Sequence, residues 1–222
     1  EEQIQLEKLL EQSKPEYTQN IQQFSASPDH NFQKQLHYLL TTPFRYPPLF
    51  YGSRFGSRFE PSIFYGSKRL STAFSETAFY RFYFWQGMST PPPSKKFITE
   101  HTVFSVGYYS VQSLKLQSFP FLSFKKELTD PSQYIKTQAL GSAMRENGFE
   151  IFEYSSARDK TNGINIGIFY PSAFTNKKPK EQQQWLCETT DETISFSSKE
   201  GVFLRYLIDD FLVDAKFPLP VN

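Results

Sequence analysis

Three residues at equal spacing carry the most suggestive chemistry in this sequence. An arginine sits in a glycine-flanked turn (Gly52-Ser53-Arg54-Phe55-Gly56), Tyr65 follows eleven positions later, and Glu76 eleven beyond that. Each has a use if the ligand is a dinucleotide. A guanidinium offers a planar fork of donors suited to a pyrophosphate, and glycines let the backbone approach phosphates closely. A tyrosine ring can stack on a nicotinamide or cover a ribose. A glutamate can hydrogen-bond a ribose hydroxyl and stabilise positive charge at the anomeric carbon, the requirement of any glycosidic cleavage through an oxocarbenium-like transition state. Each residue also has an ordinary use. Arg45, Arg54 and Arg58 suit a surface loop, Tyr65 suits a core, and a glutamate in the first turns of a helix is favoured by the helix dipole.

A second polar stretch, Tyr154-Ser155-Ser156-Ala157-Arg158-Asp159, precedes Gly163-Ile164-Asn165. A serine in a turn beside an arginine can hold a phosphate or an amide, although Ser and Asp are common turn formers in their own right.

The elements that must position these groups follow from periodicity and punctuation. Residues 1–14 (EEQIQLEKLLEQSK) read as a helix with a rough apolar stripe, ended by Lys14-Pro15. A short helix is expected over Gln33–Leu40, stopping before Pro43. Thr42–Gly66 is turn-rich, with a short strand at Ile63–Tyr65. Ser71 is the candidate N-cap of a helix near Leu70–Trp85, with Phe74, Ala78, Phe82 and Trp85 facing the core and Glu76 off that stripe. Residues 90–96 form a surface loop, and Phe97–Leu116 holds one or two strands. Asp130-Pro131 reads as a helix start with Asp as N-cap; Ile135, Ala139, Ala143 and Met144 form its apolar face, and Asn147-Gly148 its stop. Phe149–Tyr154 and Gly163–Tyr170 pair as a hairpin. A lysine-rich loop covers 176–180, Thr193–Phe196 is the expected last strand, and Gly201–Val213 reads equally as strand or helix. Strands in runs, without strict strand–helix alternation, make the class α+β.

Composition excludes several functions. The formal net charge is +1, so no field of one sign is available to attract nucleic acid or an acidic membrane. The 24 Phe and 13 Tyr argue against disorder over most of the chain. No apolar run approaches the roughly 18 residues needed to cross a bilayer, and no signal peptide is visible. Cys187 is the only cysteine, and His30, His37 and His101 lack HExxH spacing, so neither an internal disulfide nor a zinc enzyme is expected. The expected address is cytoplasmic. Trp185 and Cys187 read as packing residues, and His101 as a structural one.

Taken in order, FRYPP, GSRFG, IFYGS, TAFSE, EYSSARD and GINIGIFYPSAF resemble the RES domain, a family named for its Arg, Glu and Ser residues. Its motifs run approximately GGRWN, LY, an A-x-x-E helix and a YPSAR-x-x-x-G-x-N-x-x-x-F hairpin. Arg54, Tyr65, Glu76 and Ser156 fall on the motif positions, and Arg45 and Tyr46 match the earlier arginine region. The resemblance spans roughly residues 42–175. GSRF is repeated at once, which leaves Arg58 as a rival, although the spacing to Tyr65 favours Arg54. Ser155 stands where the family has proline, so Ser155 and Ser156 compete for the serine position. The stretch between Glu76 and Ser156 is long for the family, and its proline loop is a candidate lid or extra hairpin.

The resemblance implies an ADP-ribosyltransferase-like split β core with flanking helices, residues 1–41 forming an N-terminal helical extension and 42–222 an NAD-binding catalytic domain. It implies NAD as substrate, cleaved by phosphorolysis or hydrolysis, with inorganic phosphate as a candidate co-substrate and no metal. It further implies the toxin of a toxin–antitoxin pair, an antitoxin with a helix-turn-helix domain as partner, and a homodimer. Within it, Arg54, with Arg45 or Arg58 assisting, grips the pyrophosphate; Tyr46 beside Arg45 is a further cofactor-binding position; Tyr65 stacks against the nicotinamide side; Glu76 holds the ribose; and Ser156 orients the amide or a phosphate. Arg158 holds phosphate or pairs with Asp159. The alternatives are a mono-ADP-ribosyltransferase acting on a protein and a catalytically inactive binding module.

Overall fold

The computed structural model describes residues 35–46 and 48–220. The expected helix over residues 1–14 and the first residues of the one expected over Gln33–Leu40 lie outside them. The first described helix, α1 (Tyr38–Arg45), does not stop before Pro43 but runs through it. Proline removes one backbone donor there; burial of Leu40, Thr41 and Phe44 on one face outweighs that loss.

Two four-stranded sheets follow. The first contains β1 (Phe64–Ser67), β3 (Ser113–Lys115), β4 (Ile151–Ser155) and β5 (Ile164–Ile168) in the order β1-β5-β4-β3. β4 and β5 are the expected hairpin, with Tyr154 opposite Asn165; β1 adds antiparallel to β5, and β3 parallel to β4. β4 is buried at four successive positions rather than alternately, because both faces of this sheet are covered. One face carries Phe64, Ile151, Ile166 and Ile168 and packs with α1 residues. The other carries Tyr65, Phe152 and Tyr154 and packs with Phe55, Leu128 and Met144.

The second sheet contains β2 (Phe97–Ser105), β6 (Glu181–Thr189), β7 (Thr193–Ser198) and β8 (Phe203–Leu207) in that order. Two expectations change here. Thr193–Phe196 is not the last strand, since Gly201–Val213 contributes β8 and then a 3-10 turn, Ile208–Phe211. The nine-residue β6 begins Glu-Gln-Gln-Gln, a composition that hides a strand. It is held by the whole length of β2 on one side and by β7 on the other.

Helix α2 (Leu70–Gln86) lies against the second sheet. Phe74, Ala78, Phe82 and Trp85 are buried as its periodicity predicts, and Phe79 joins them. Trp185, Cys187 and Phe196 receive them, so Trp185 and Cys187 are core residues. Ser71 is not the N-cap. Arg69 occupies that position with no side-chain cap bond. The start of α2 is tied down by tertiary contact instead: Thr72 Oγ1 donates to Asp159 Oδ2 at 2.7 Å, which places a carboxylate beside the positive end of the helix dipole.

α3 (Lys125–Leu128) is a single turn, and α4 (Ile135–Glu146) follows. Asp130 does not cap α4. Its carboxylate accepts from Ser132 N and Gln133 N in a separate turn, and Tyr134 is the residue before the helix. The apolar face is also corrected. Ile135, Ala139 and Ala143 are exposed, whereas Thr137, Gly141, Met144 and Arg145 are buried. Gly141 decides that register: a β-carbon there would stand 1.7 Å from the Phe55 carbonyl oxygen, so only glycine lets the helix touch the turn that carries Arg54. Asn147 ends α4 as expected.

Candidate active site

Glu76 leaves α2 on the side away from the second sheet and meets the β4–β5 hairpin. Its Oε1 accepts from Ser156 Oγ at 2.6 Å and from Asn165 Nδ2 at 2.5 Å. Its Oε2 has no partner among the described residues. Both donors are neutral, so the charge of the carboxylate is solvated without being cancelled. Ser156, rather than Ser155, makes the contact. Its Oγ in turn accepts from the backbone N–H groups of Arg158 and Asp159, at 3.0 and 2.9 Å. Two N–H groups on the oxygen aim the hydroxyl proton at Glu76.

Asn165 is the partner that sequence reasoning did not single out. Ser67 Oγ donates to its Oδ1 at 2.6 Å, which orients the amide so that Nδ2 points to the carboxylate. The Gly-x-Asn spacing at 163–165 was the available signal. Gly163 is required for the approach, because a β-carbon there would lie 1.9 Å from Thr72 Oγ1 and 2.3 Å from Asp159 Oδ2. Asp159 binds Thr72, Thr161 and Arg69. Burial raises its carboxyl, but these bonds outweigh it and hold it below the usual range.

The arginines separate clearly. Arg54 is buried; its Nη1 donates to the Asp130 carbonyl at 2.6 Å and to that of Leu128 at 3.4 Å, and the guanidinium lies 4.7 Å from the centre of the Tyr134 ring. Arg58 is exposed and lies over Phe50 and Phe59, both exposed. Arg158 does not pair with Asp159, whose ion-pair partner is Arg69. Arg158 is buried, donates to the Pro131 carbonyl at 2.5 Å and to Tyr134 Oη at 3.1 Å, and stacks 3.4 Å from the centre of the Phe79 ring. Burial lowers its guanidinium first, with Tyr134 acting against and Arg54 adding to it; a guanidinium stays charged at neutral pH regardless. Tyr134 therefore sits between the two buried cations.

Tyr65 turns its ring toward Tyr154, at 6.4 Å between centres. Its hydroxyl bonds Ser53 Oγ at 2.9 Å and receives Phe55 N–H at 3.2 Å. The phenol is pushed up to about 12, mainly by burial, so it stays protonated and anchors the Arg54 turn. Arg45 and Tyr46 end α1; the Tyr46 carbonyl accepts from Ser62, and the bonds that gather Glu76, Ser156 and Asn165 do not include them. Tyr80, one turn after Glu76, was not anticipated. It is 39% exposed, yet its phenol is pushed well up, by desolvation first and then by Tyr134 and Glu76, against Arg158 and Arg54. The arrangement is thus an anionic acceptor on neutral donors and two fixed cations with the Tyr134 ring between them, a set able to bind a charged ligand and stabilise a cation that develops on it.

No group of three His, Cys, Asp or Glu among the described residues could hold a metal ion. No helix among them is long and apolar enough to cross a membrane. His101 bonds Thr99 and lies edge-on to Phe196, a structural placement. No curated protein matches the sequence. The model of the RES domain family matches residues 30–189, more than two thirds of the chain. The chain therefore belongs to the RES-domain family, which is toxin-like and NAD-utilising, with an ADP-ribosyltransferase-like fold.

Proposed function

We propose that this RES-domain chain cleaves the nicotinamide–ribose bond of NAD. The observation that carries the reading is the Glu76 carboxylate, held through Oε1 by Ser156 and Asn165 while Oε2 has no partner among the described residues. Oε2 accepts a hydroxyl of the nicotinamide ribose. The C–N bond breaks with its electron pair leaving on nicotinamide, and the resulting oxocarbenium ion is stabilised by the adjacent carboxylate. An oxygen of phosphate or water then attacks the anomeric carbon; with water, a proton is released. Arg54 holds the pyrophosphate with the donors its two carbonyl bonds leave over, and Arg158 reinforces the positive field from beside Tyr134. Tyr65 braces the Arg54 turn and closes the nicotinamide side with Ser156. Arg45, Tyr46 and Arg58 extend the binding surface along the loop before β1. The cellular role that fits is the toxin of a toxin–antitoxin pair, a cytoplasmic homodimer neutralised by an antitoxin with a helix-turn-helix domain.

The test is NAD consumption by purified protein, with and without inorganic phosphate, and products resolved by mass. ADP-ribose 1″-phosphate formed only with phosphate makes the enzyme a phosphorylase; ADP-ribose in both conditions makes it a glycohydrolase. Intact NAD from folded protein overturns the reading, and labelled ADP-ribose appearing on a protein band in lysate would replace it with protein ADP-ribosylation.

A further inference from the structure

The first sheet borders a cavity on its other face. Behind β1 and β5, away from Glu76, lies a cavity of about 720 Å³ between the two sheets. Phe64, Ile166 and Ile168 form one wall, Val103 and Phe104 of β2 the other, and Ala73 and Thr77 of α2 the roof. Tyr65 and Ser67 touch it only from β1 itself, since their hydroxyls bond the other way, to Ser53 and Asn165. The strand alternation that aims Tyr65 and Ser67 at the Glu76 cluster therefore aims Phe64 and Gly66 at the cavity.

We propose that this cavity is a separate binding site for a neutral small molecule with a flat, apolar body. Its size lies within the range of small-ligand sites, roughly 300–1,000 Å³. Its two facing walls are aliphatic and aromatic at Phe64, Ile166, Ile168, Val103 and Phe104, and its rim is polar. The charges at its edge are compensated or solvated: Lys68 is paired with Glu153 at 2.6 Å, Arg69 with Asp159 at 3.2 Å, and Glu181 is exposed. His101, in the lining, is held neutral at pH 7 by burial and by Arg81, both of which lower it. Thr77, Gln183 and Tyr108 supply hydrogen-bonding groups without net charge. A charged ligand would lose its hydration here without gaining an unpaired counter-ion.

Two fluorescent probes that share one ring system test this: neutral N-phenyl-1-naphthylamine and its sulfonated counterpart, 8-anilino-1-naphthalenesulfonate. The neutral probe should saturate at one equivalent per chain, and the sulfonate should bind at least fivefold more weakly. Val103→Trp, which fills the cavity from β2, should weaken the neutral probe at least tenfold while thermal unfolding remains cooperative. Ser105→Trp, at an exposed lining position, provides the same block should Val103→Trp fail to fold. Glu76→Gln and excess NAD should leave probe binding unchanged, and this holds whether or not the protein turns NAD over. Binding that survives both tryptophan substitutions, is displaced by NAD, or is as tight for the sulfonate overturns the proposal.

Discussion

Two carboxylates stand on opposite sides of one sheet and are treated in opposite ways. Glu153, on β4, is 8% exposed and is satisfied by a cation: Lys68 Nζ at 2.6 Å, with Gln117 Nε2 at 2.8 Å and the more distant Tyr108 hydroxyl. Burial alone would raise its carboxyl, but Lys68 and Gln117 win and hold it below the usual carboxylate range. Glu76 is half-buried and accepts only from a hydroxyl and an amide. The difference separates two uses of charge. A carboxylate already paired with a cation stabilises the fold and has little left to offer a ligand. A carboxylate held by neutral donors keeps its charge for whatever cation forms in front of it.

Substitutions at the two positions should split the same way. Glu76→Gln removes the charge but keeps the shape; NAD turnover should fall about 10³-fold while the urea midpoint barely moves. An active, folded Glu76→Gln protein would remove Glu76 from the mechanism and dissolve the contrast. Asn165→Asp replaces a donor to Glu76 by a second carboxylate. Glu76 then loses a hydrogen bond and gains a like-charged neighbour, so neutral-pH turnover should fall roughly tenfold while the protein stays folded. Unchanged turnover would show that the Asn165 donor does not support Glu76 in catalysis.

Glu153→Gln should act on stability alone, costing about 1–2 kcal/mol by urea titration, with Lys68 partly exposed and so partly resolvated. Its pH dependence has a definite sign. Because the folded-state carboxyl is lowered from 4.5, its contribution is present above about pH 4.5 and is lost as pH falls through the folded value. Wild-type stability should therefore drop more steeply than that of Glu153→Gln between pH 5 and 3; parallel curves would show that the pair contributes nothing. The smallest effect belongs to Arg58→Ala, at most about 0.5 kcal/mol of stability for an exposed residue and within about twofold in turnover. Arg54→Ala should cost roughly 10²-fold. Equal losses would give Arg58, at the rim of the binding surface, the same weight as Arg54.

Much of this contrast was legible in the chain. The interval Phe74, Ala78, Phe82 marked the buried face of α2 and left Glu76 outside it. The NG-bounded β4–β5 hairpin and the ordered Arg54, Tyr65, Glu76 and Ser156 spacing were readable as well. What failed were local rules overruled at a distance. Ser71 lost its capping role because Asp159 holds the start of α2 from the far hairpin. The face of α4 rotated because Gly141 admits the Phe55 backbone. β6 went unseen because its glutamines are exposed and are held in strand only by pairing with β2.

Residue type and spacing determined that a carboxylate would leave α2 on its polar side and that a serine and an asparagine would stand at a hairpin. Periodicity is a property of neighbours, and it survives in any fold that keeps the helix and the strands. Only the tertiary structure decided that Ser156 and Asn165 meet Glu76, and that Arg54 rather than Arg58 is buried beside Tyr134. Those contacts join residues up to 89 positions apart. They exist because packing α2 between the two sheets brings together donors that no local sequence interval specifies.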